Sequence, residues 1–298
     1  MGLIHRKATA VKLTVILFFC IFTVVVLFLN DYQKAAASAS GPSPSYTNAP
    51  GEDNCTACHT AFPVNTGTGG VDISGVPQTY VPGQQISITV TTSQSDAVIY
   101  GFQLTALNQA GKTVGTFTLP TQQTQQIQLV NGIVDSQTRK YVEHTVNGVV
   151  PTQFGSKSWT FAWTAPNPAD GPIDFYAAGN SANSDGATSG DYIYTTTVSS
   201  SPAAAVSISG RVFLSNGTQG LRNAAVVLTD QNGVAQSATT SSFGFYSFSN
   251  VFAGQTYTLV VKSKLYRYAP MTLTVTGDLV NVDFIGDRKS TRLNSSHG

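Results

Sequence analysis

Ser158-Trp159-Thr160-Phe161-Ala162-Trp163-Thr164 alternates small polar residues with aromatic or apolar ones. A period of two places the apolar side chains on one face of an extended chain, so the stretch predicts a half-buried β-strand. Similar runs, separated by Gly, Pro and Asn, recur at residues 85–90, 100–107, 173–178 and 191–198. Short strands at this spacing predict an antiparallel β-sandwich. Because no helical period of useful length follows residue 39, the predicted fold class is all-β.

The composition fits an exported β-protein with two domains. A chain of 298 residues has room for two domains of ordinary size. Charged residues make up only 10% of it, whereas about a quarter is usual. The two ends, residues 1–39 and 287–298, hold seven of the 16 basic residues but only two of the 15 acidic ones. The remainder is therefore net acidic, which argues against nucleic acid as a partner.

The N-terminus predicts export. Residues 13–29 are apolar, contain no charge and follow Arg6, Lys7 and Lys12. Together with Ala37-Ser38-Ala39, they predict a signal peptide or membrane anchor at residues 1–39. Either form places the rest of the chain outside the cytoplasm, in the periplasm, at the cell surface or in the extracellular space. This segment is the chain's only expected contact with a membrane.

Composition also predicts the other boundaries. Residues 40–54 are rich in Ser, Pro, Gly and Asn, and residues 199–205 are rich in Ser and Ala, so both predict linkers. They delimit two predicted sandwiches, at residues 55–198 and 206–286. Residues 287–298 break from the charge-poor pattern and back-translate to a string that resembles a sequencing-library adapter. We interpret this tail as an artefact.

Asn54-Cys55-Thr56-Ala57-Cys58-His59 carries the strongest chemical signal in the chain. It has the C-x-x-C-H spacing by which a c-type haem is attached. Cys55 and Cys58 would form the thioethers, and His59 would be the proximal ligand of the haem iron. Three alternatives compete: a disulfide, which an exported compartment favours, a zinc site, and chance. Zinc is less favoured because His59 directly follows Cys58, which would strain tetrahedral ligation.

A low-spin haem usually needs a second axial ligand, His or Met. Outside the two ends, the candidates are His144 and Met271. Met271 lies in a strand-like run of the second domain, whereas His144 belongs to the first. His144 is therefore the preferred distal ligand of the iron. The alternative for His144 is a strand residue hydrogen-bonded to a neighbour, which leaves the iron five-coordinate or water-ligated.

Other chemistry has weaker support in the sequence. Asn183, Asp185 and Asp191 offer oxygen ligands that could suit calcium, but such residues are also common in any tight loop. A hydrolytic triad would have to use His59 or His144, and no pattern in the sequence supports one. An enzyme is therefore less favoured than an electron carrier or a binding protein.

Seven motifs follow one another in the first domain: PGEDNCTACH at 50–59, YVPG at 80–83, GFQLTAL at 101–107, YVEHT at 141–145, WTFAWTAP at 159–166, FYAAGN at 175–180 and SGDYIY at 189–194. Together they resemble the bacterial relatives of the Reeler (reelin-type) domain over about residues 50–198. The resemblance implies an immunoglobulin-like sandwich in an exported protein. In these relatives a C-x-x-C-H motif commonly stands at the start of the domain.

Four further motifs lie in the second domain: ISGRV at 208–212, AAVVLTD at 224–230, TTSSFGFYSF at 239–248 and VFAGQTY at 251–257. They resemble the carboxypeptidase regulatory-like domain over residues 206–286. The resemblance implies a small transthyretin-like sandwich that acts as a spacer or adhesive module. It implies no peptidase activity.

The combined patterns predict an exported monohaem c-type cytochrome domain for one-electron transfer outside the cytoplasm. Its cofactor would be haem c, and its partner a redox protein or an extracellular electron acceptor. The alternative hypothesis is a cell-surface adhesion or matrix-binding modular protein. In that case Cys55 and Cys58 form a disulfide or are a relic, and the partners are cell-surface or matrix components.

Overall fold

A computed structural model describes residues 40–121 and 125–288, and their regular structure is almost entirely strand. The helices in these ranges are two single 3-10 turns, Cys55–Ala57 and Val146–Gly148. The chain divides into two compact units, which are described separately. The first ten strands are β1 (Gly70–Ser74), β2 (Thr79–Tyr80), β3 (Gln85–Ser93), β4 (Ile99–Asn108), β5 (Thr116–Thr118), β6 (Ile127–Val134), β7 (Gln137–His144), β8 (Ser156–Thr164), β9 (Ile173–Ala182) and β10 (Tyr192–Pro202).

The first sandwich contains a four-stranded and a six-stranded sheet. Their strand orders are β1-β3-β8-β5 and β2-β10-β9-β4-β7-β6. β3 and β8 pair antiparallel along their length, with Trp159 opposite Val90 and Trp163 opposite Ile86. Burial alternates residue by residue along β8, and both tryptophans are fully buried. The period of two in this stretch therefore predicted the strand and its inward face.

Aromatic side chains fill the space between the two sheets. The rings of Phe102 and Trp159 stack with centroids 4.5 Å apart, and Trp163 meets Phe175 edge to face at 4.9 Å. Aromatic pairs in such geometries add to the stabilisation from burial. The indole N–H of Trp159 donates to the carbonyl of Gly148 at 2.8 Å, so the buried ring leaves no polar atom unpaired. This packing fixes β4, which contributes residues to the pocket described below.

The segment before β1 is attached to the six-stranded sheet by buried polar groups. The Arg139 guanidinium on β7 lies 2.6 Å from the Glu52 carboxylate, and the Tyr141 hydroxyl donates to the same oxygen at 2.7 Å. Gln103 on β4 accepts a hydrogen bond from the backbone N–H of Tyr46 at 2.8 Å. The part of the predicted linker that lies between Tyr46 and Glu52 is thus fixed to the first sandwich, and Tyr46 at its start forms part of the pocket wall.

The second sandwich has an apolar core. Its core includes Ile208, Val226, Leu259 and Phe284, all buried. The strands are β11 (Ala205–Phe213), β12 (Ala225–Thr229), β13 (Ala235–Thr239), β14 (Phe245–Phe252), β15 (Gln255–Lys262), β16 (Tyr266–Arg267), β17 (Met271–Val275), β18 (Phe284–Ile285) and β19 (Asp287–Arg288). Its sheets have the orders β14-β11-β18 and β13-β12-β15-β17, and β16 pairs with β19.

The predicted all-β class with two consecutive sandwiches is confirmed. The predicted signal or anchor at residues 1–39 lies outside the described residues, as does most of the predicted artefact, residues 289–298. Within residues 40–121 and 125–288, no helix has the length and apolar character needed to cross a membrane.

Candidate functional site

One pocket of the first sandwich is lined by all four side chains that were selected from the sequence. Its volume is about 360 Å³. Cys55, Cys58 and His59 line it from the segment before β1, and His144 lines it from the last position of β7. Other parts of the wall come from residues 42–46, 99–102 and 180–191. The structure thus brings together residues from both ends of the first sandwich's sequence, since His59 and Asp191 are 132 positions apart.

The two cysteines lie on and beside a 3-10 turn that Asn54 caps. The Asn54 side chain accepts a hydrogen bond from the backbone N–H of Thr56 at 2.9 Å, and the N–H of His59 donates to the carbonyl of Cys55 at 2.9 Å. Cys55 and Cys58 are both free thiols. Burial raises the pKa of the Cys55 thiol to about 12. The thiol is therefore protonated at neutral pH and is a poor nucleophile.

A buried carboxylate holds His59. Nδ1 of His59 lies 2.7 Å from Oδ2 of Asp191, whose side chain is 1% exposed. The other Asp191 oxygen accepts a hydrogen bond from the backbone N–H of Asn183 at 3.1 Å. A carboxylate at Nδ1 fixes both the orientation of the ring and the position of its proton. Nδ2 of Asn180 lies 3.4 Å from both ring nitrogens of His59.

The backbone of β4 holds His144. Nδ1 of His144 lies 3.0 Å from the backbone nitrogen of Phe102 and 3.1 Å from its carbonyl oxygen, so it can accept from one or donate to the other. Burial lowers the pKa of His144, and the hydrogen bond with Phe102 only partly opposes this. The imidazole is therefore neutral at pH 7. Gly101 leaves room for the ring, because a Cβ at this position would lie 2.6 Å from Cε1 of His144.

One residue of the pocket wall, Asn180, has a hydrogen-bond acceptor without a partner. Oδ1 of Asn180 is buried and has no hydrogen-bond partner among the described residues. Leaving such an atom unsatisfied costs about 1–3 kcal/mol, which a bound group that donates a hydrogen bond can offset. Ile99, Phe102 and Val149 add apolar surface to the lining. Apolar walls with a few placed polar groups are typical of a small-ligand site.

The sequence did not predict the pairing of Asp191 with His59. The two residues are 132 positions apart, and only the folded sheets bring them into contact. In the sequence, Asp191 belonged to the loop that was considered for calcium. In the structure, oxygens of that loop accept hydrogen bonds from its own backbone: Oδ1 of Asn183 from the N–H of Asp185, and Oδ1 of Asp185 from the N–H of Ala187. Calcium at this loop stays a prediction.

Two family models match the chain, one over each sandwich. The Reeler domain matches residues 55–181, and the carboxypeptidase regulatory-like domain matches residues 207–285. The chain carries a Reeler domain and a carboxypeptidase regulatory-like domain. Both resemblances that the sequence motifs indicated are thereby confirmed.

The chain is similar to several solved structures at low identity. The major pilin subunit BcpA of Bacillus cereus is 12% identical, with 74% of this chain and 70% of that chain covered and a TM-score of 0.37. The major pilin SpaD of Corynebacterium diphtheriae is 13% identical, with 74% and 68% covered and a TM-score of 0.39. The human F-spondin reeler domain is 17% identical, with 47% and 91% covered and a TM-score of 0.31. No curated protein sequence matches the chain.

The predicted electron-transfer function is wrong. The first sandwich is a Reeler domain, and in the part of the chain that the structure describes no group of three or more His, Cys, Asp or Glu side chains is placed to hold a metal ion. The C-x-x-C-H spacing alone therefore led to a cytochrome prediction that the fold does not support. The surface or matrix-binding alternative fits better, and the expected redox partner has no support.

Proposed function

We propose that the chain is an exported modular protein that binds components of the cell surface or of the extracellular matrix. The observation that carries this proposal is the succession of two small β-sandwich modules, a Reeler domain and a carboxypeptidase regulatory-like domain. Sandwiches of this kind are rigid scaffolds on which loops and sheet faces can bind partners. The apolar N-terminal segment supplies the route of export.

The pocket of the Reeler domain gives this proposal a binding site. Its apolar walls suit the hydrocarbon part of a ligand, and Oδ1 of Asn180 needs a hydrogen-bond donor. His59 lies beside Asn180, and Asp191 holds its ring in one orientation. A ligand that combines an apolar body with a donor such as a hydroxyl or amide meets both requirements.

Protease treatment of intact cells that carry the full chain tests the proposed location. The expected result is that added protease removes the protein while a cytoplasmic marker survives. A full chain that is protected until the cells are lysed contradicts the proposal. Extraction of the exposed protein together with matrix material then distinguishes a bound protein from one that is only secreted.

A second candidate function is the binding of a covalent haem in the pocket, without a role in electron transfer. It is favoured by the position of Cys55, Cys58, His59 and His144 on the lining of one pocket. The cysteines would hold a covalent haem, and the two imidazoles would serve its iron. The donor set fits this group, because both imidazoles make their short contacts through Nδ1, and Nε2 of His59 has a long contact of 3.4 Å with Nδ2 of Asn180. A bound haem would supply an iron centre, and Asp191 would orient the ring of His59.

Haem staining after denaturing electrophoresis tests this second candidate, because only covalently attached haem survives. The full chain is expressed together with a cytochrome c maturation system, and Cys55→Ser/Cys58→Ser serves as the control. We expect a stained band from the parent chain and none from the control. An unstained parent chain rejects the haem and leaves the surface-binding proposal intact.

A further inference from the structure

The outer face of the β11–β14 sheet holds an arginine between two aromatic rings. Arg211 lies directly opposite Phe245 in the antiparallel pair, and Phe213 follows two residues later on the same face. The guanidinium carbon of Arg211 lies 4.7 Å from the ring centroid of Phe213 and 5.0 Å from that of Phe245. These two cation–π contacts hold the guanidinium in one position, whereas an arginine without such contacts moves freely at the surface.

This guanidinium has no counter-ion among the described residues. The ion pairs in that part of the chain are His59–Asp191 and Glu52–Arg139, and neither includes Arg211. Its Nε donates to the carbonyl of Phe243 at 2.7 Å, which leaves the two terminal nitrogens for another acceptor. The nearby Asp283 accepts from the backbone N–H of Arg211 at 2.7 Å. Arg211 is therefore a positioned cation whose two terminal nitrogens are free to donate.

A groove surrounds the arginine. It has a volume of about 630 Å³ and is lined by hydroxyl side chains as well as by the rings, including Ser209, Ser241 and Ser247. Two aromatic side chains next to it are largely exposed: Phe243 at 68% and Phe245 at 56%. Large aromatic side chains that stay exposed beside a polar rim mark interaction surfaces.

We propose that this groove binds an acidic polysaccharide whose repeating sugar carries a carboxylate. The carboxylate would accept two parallel hydrogen bonds from the free edge of the Arg211 guanidinium. The apolar face of the sugar ring would lie on Phe245, and the serine hydroxyls would meet the sugar hydroxyls. The inference deepens the proposed surface and matrix-binding function and rests on it.

The charges in the groove favour this partner over more highly charged ones. Arg211 supplies one cation, and Asp283 supplies an anion on the same lining. A ligand with one carboxylate per sugar can place it at Arg211 and keep neutral hydroxyls near Asp283. A phosphate or sulfate chain has a higher charge density and would be repelled by Asp283. An acidic peptide brings carboxylates but lacks the flat, hydroxyl-rich face that the aromatic and serine side chains match.

The test measures binding of the full chain to polygalacturonate, with the methyl ester of the same polymer as the matched ligand control. The parent chain is expected to bind the acid, and to bind the ester at least about tenfold more weakly because the neutral ester has no negative charge to pair with the guanidinium. Arg211→Gln and Phe245→Leu are each expected to weaken binding of the acid about tenfold or more. Arg211→Lys keeps the charge but loses the paired geometry, so an intermediate loss is expected.

Arg222→Gln is the matched protein control, because Arg222 is an exposed arginine of the same domain outside the groove. It should bind as the parent chain does. An equal loss in Arg222→Gln and Arg211→Gln, or equal binding of acid and ester, overturns the proposal in favour of diffuse charge attraction. Tighter binding of poly-glutamate than of polygalacturonate overturns it in favour of an acidic peptide. Near-UV circular dichroism of each variant shows that the fold is retained.

The two proposals can fail separately. If the chain binds polygalacturonate through Arg211 but is protected from protease inside intact cells, the surface function is rejected and the binding site stands. If the chain is exposed at the surface but its binding of the polymer does not depend on Arg211 and Phe245, the binding site is rejected and the surface function stands.

Discussion

The two sandwiches have the same fold class but place their polar chemistry differently. The first buries charged side chains, among them Arg139, Glu143, Lys157 and Asp191. Among the described residues of 207–285, Thr240 is the one buried polar side chain, and the core around it is apolar. In the second domain, the cation held by two aromatic rings, Arg211, lies on an outer sheet face.

The difference shows how each domain can provide a binding site. Burying a charge is expensive unless a partner and hydrogen bonds compensate it. The first domain pairs Arg139 with Glu52 and Asp191 with His59, and both pairs position residues that lead to or line the pocket. The second domain avoids that cost because its core is apolar. Its Arg211 lies on an outer face, where a bound partner could accept hydrogen bonds from it. Removing a buried charge from the first domain should therefore lower the stability of the protein much more than removing an exposed charge from the second domain.

The largest expected effect is at the buried ion pair. Arg139→Met leaves the Glu52 carboxylate, whose side chain is 0% exposed, without its cation. Breaking a buried pair in this way costs about 3–5 kcal/mol of the free energy of unfolding. Denaturant unfolding followed by tryptophan fluorescence measures this loss, because Trp159 and Trp163 both lie in the first sandwich and are the chain's two tryptophans.

Lys140→Met is the control for Arg139→Met. Lys140 is the next residue on β7 and is exposed, so the same change of charge should shift the free energy of unfolding by no more than about 0.5 kcal/mol. The double variant Glu52→Gln/Arg139→Met should recover part of the loss, because no buried charge then lacks a partner. Equal effects of Arg139→Met and Lys140→Met would show that the pair contributes nothing to stability.

A smaller loss of stability is expected from a substitution at Gly101, where β4 passes the pocket. In Gly101→Ala the new methyl group meets the His144 ring, whose Cε1 would lie 2.6 Å away. Forcing an extra carbon into a packed site costs about 1–3 kcal/mol. Gly70→Ala is the control, since a Cβ there has no atom within 4 Å. The prediction fails if both variants unfold at the same denaturant concentration, and Gly101→Ala/His144→Ala should restore the loss if the ring is the obstacle.

The sequence predicted the fold well because the fold depends on local patterns. The alternation in residues 158–164 determines which side chains of β8 face inward, and neighbouring residues alone define that alternation. Turn residues between such runs then separate the strands. The same reasoning located Cys55, Cys58 and His59, because their spacing is local. It also selected His144, because few other histidines remained.

The partners of these residues could not be predicted from the sequence. Asp191 reaches His59, and Phe102 reaches His144, only through the pairing of distant strands. The setting of Arg211 depends in the same way on its register with Phe245. The electron-transfer prediction failed for a related reason. A C-x-x-C-H motif specifies which atoms are close in sequence, whereas function depends on the domain that presents them.

The smallest expected effect lies at an exposed polar contact of the second domain, Asp278 with Ser207. The Asp278 carboxylate accepts hydrogen bonds from the backbone N–H of Ser207 at 2.7 Å and from its hydroxyl at 2.9 Å, and these bonds lower the pKa of Asp278 below 3.8. The unfolded chain therefore binds this proton at a higher pH than the folded chain does. The stabilisation is complete above pH 3.8 and is lost as the pH falls through the folded pKa.

Asp278→Asn should therefore lower the calorimetric melting temperature of the second domain slightly at neutral pH, and the difference from the parent chain should shrink on acidification below pH 3.8. Asp72→Asn, which removes an exposed carboxylate of β1 in the first sandwich, controls for the change in net charge. A gap between parent and Asp278→Asn that stays constant down to the lowest pH would show that the carboxylate's charge is not what Ser207 recognises. A gap as large as that of Arg139→Met would break the comparison itself, because it would mean that polar contacts at the surface of the second domain stabilise it as strongly as buried pairs stabilise the first.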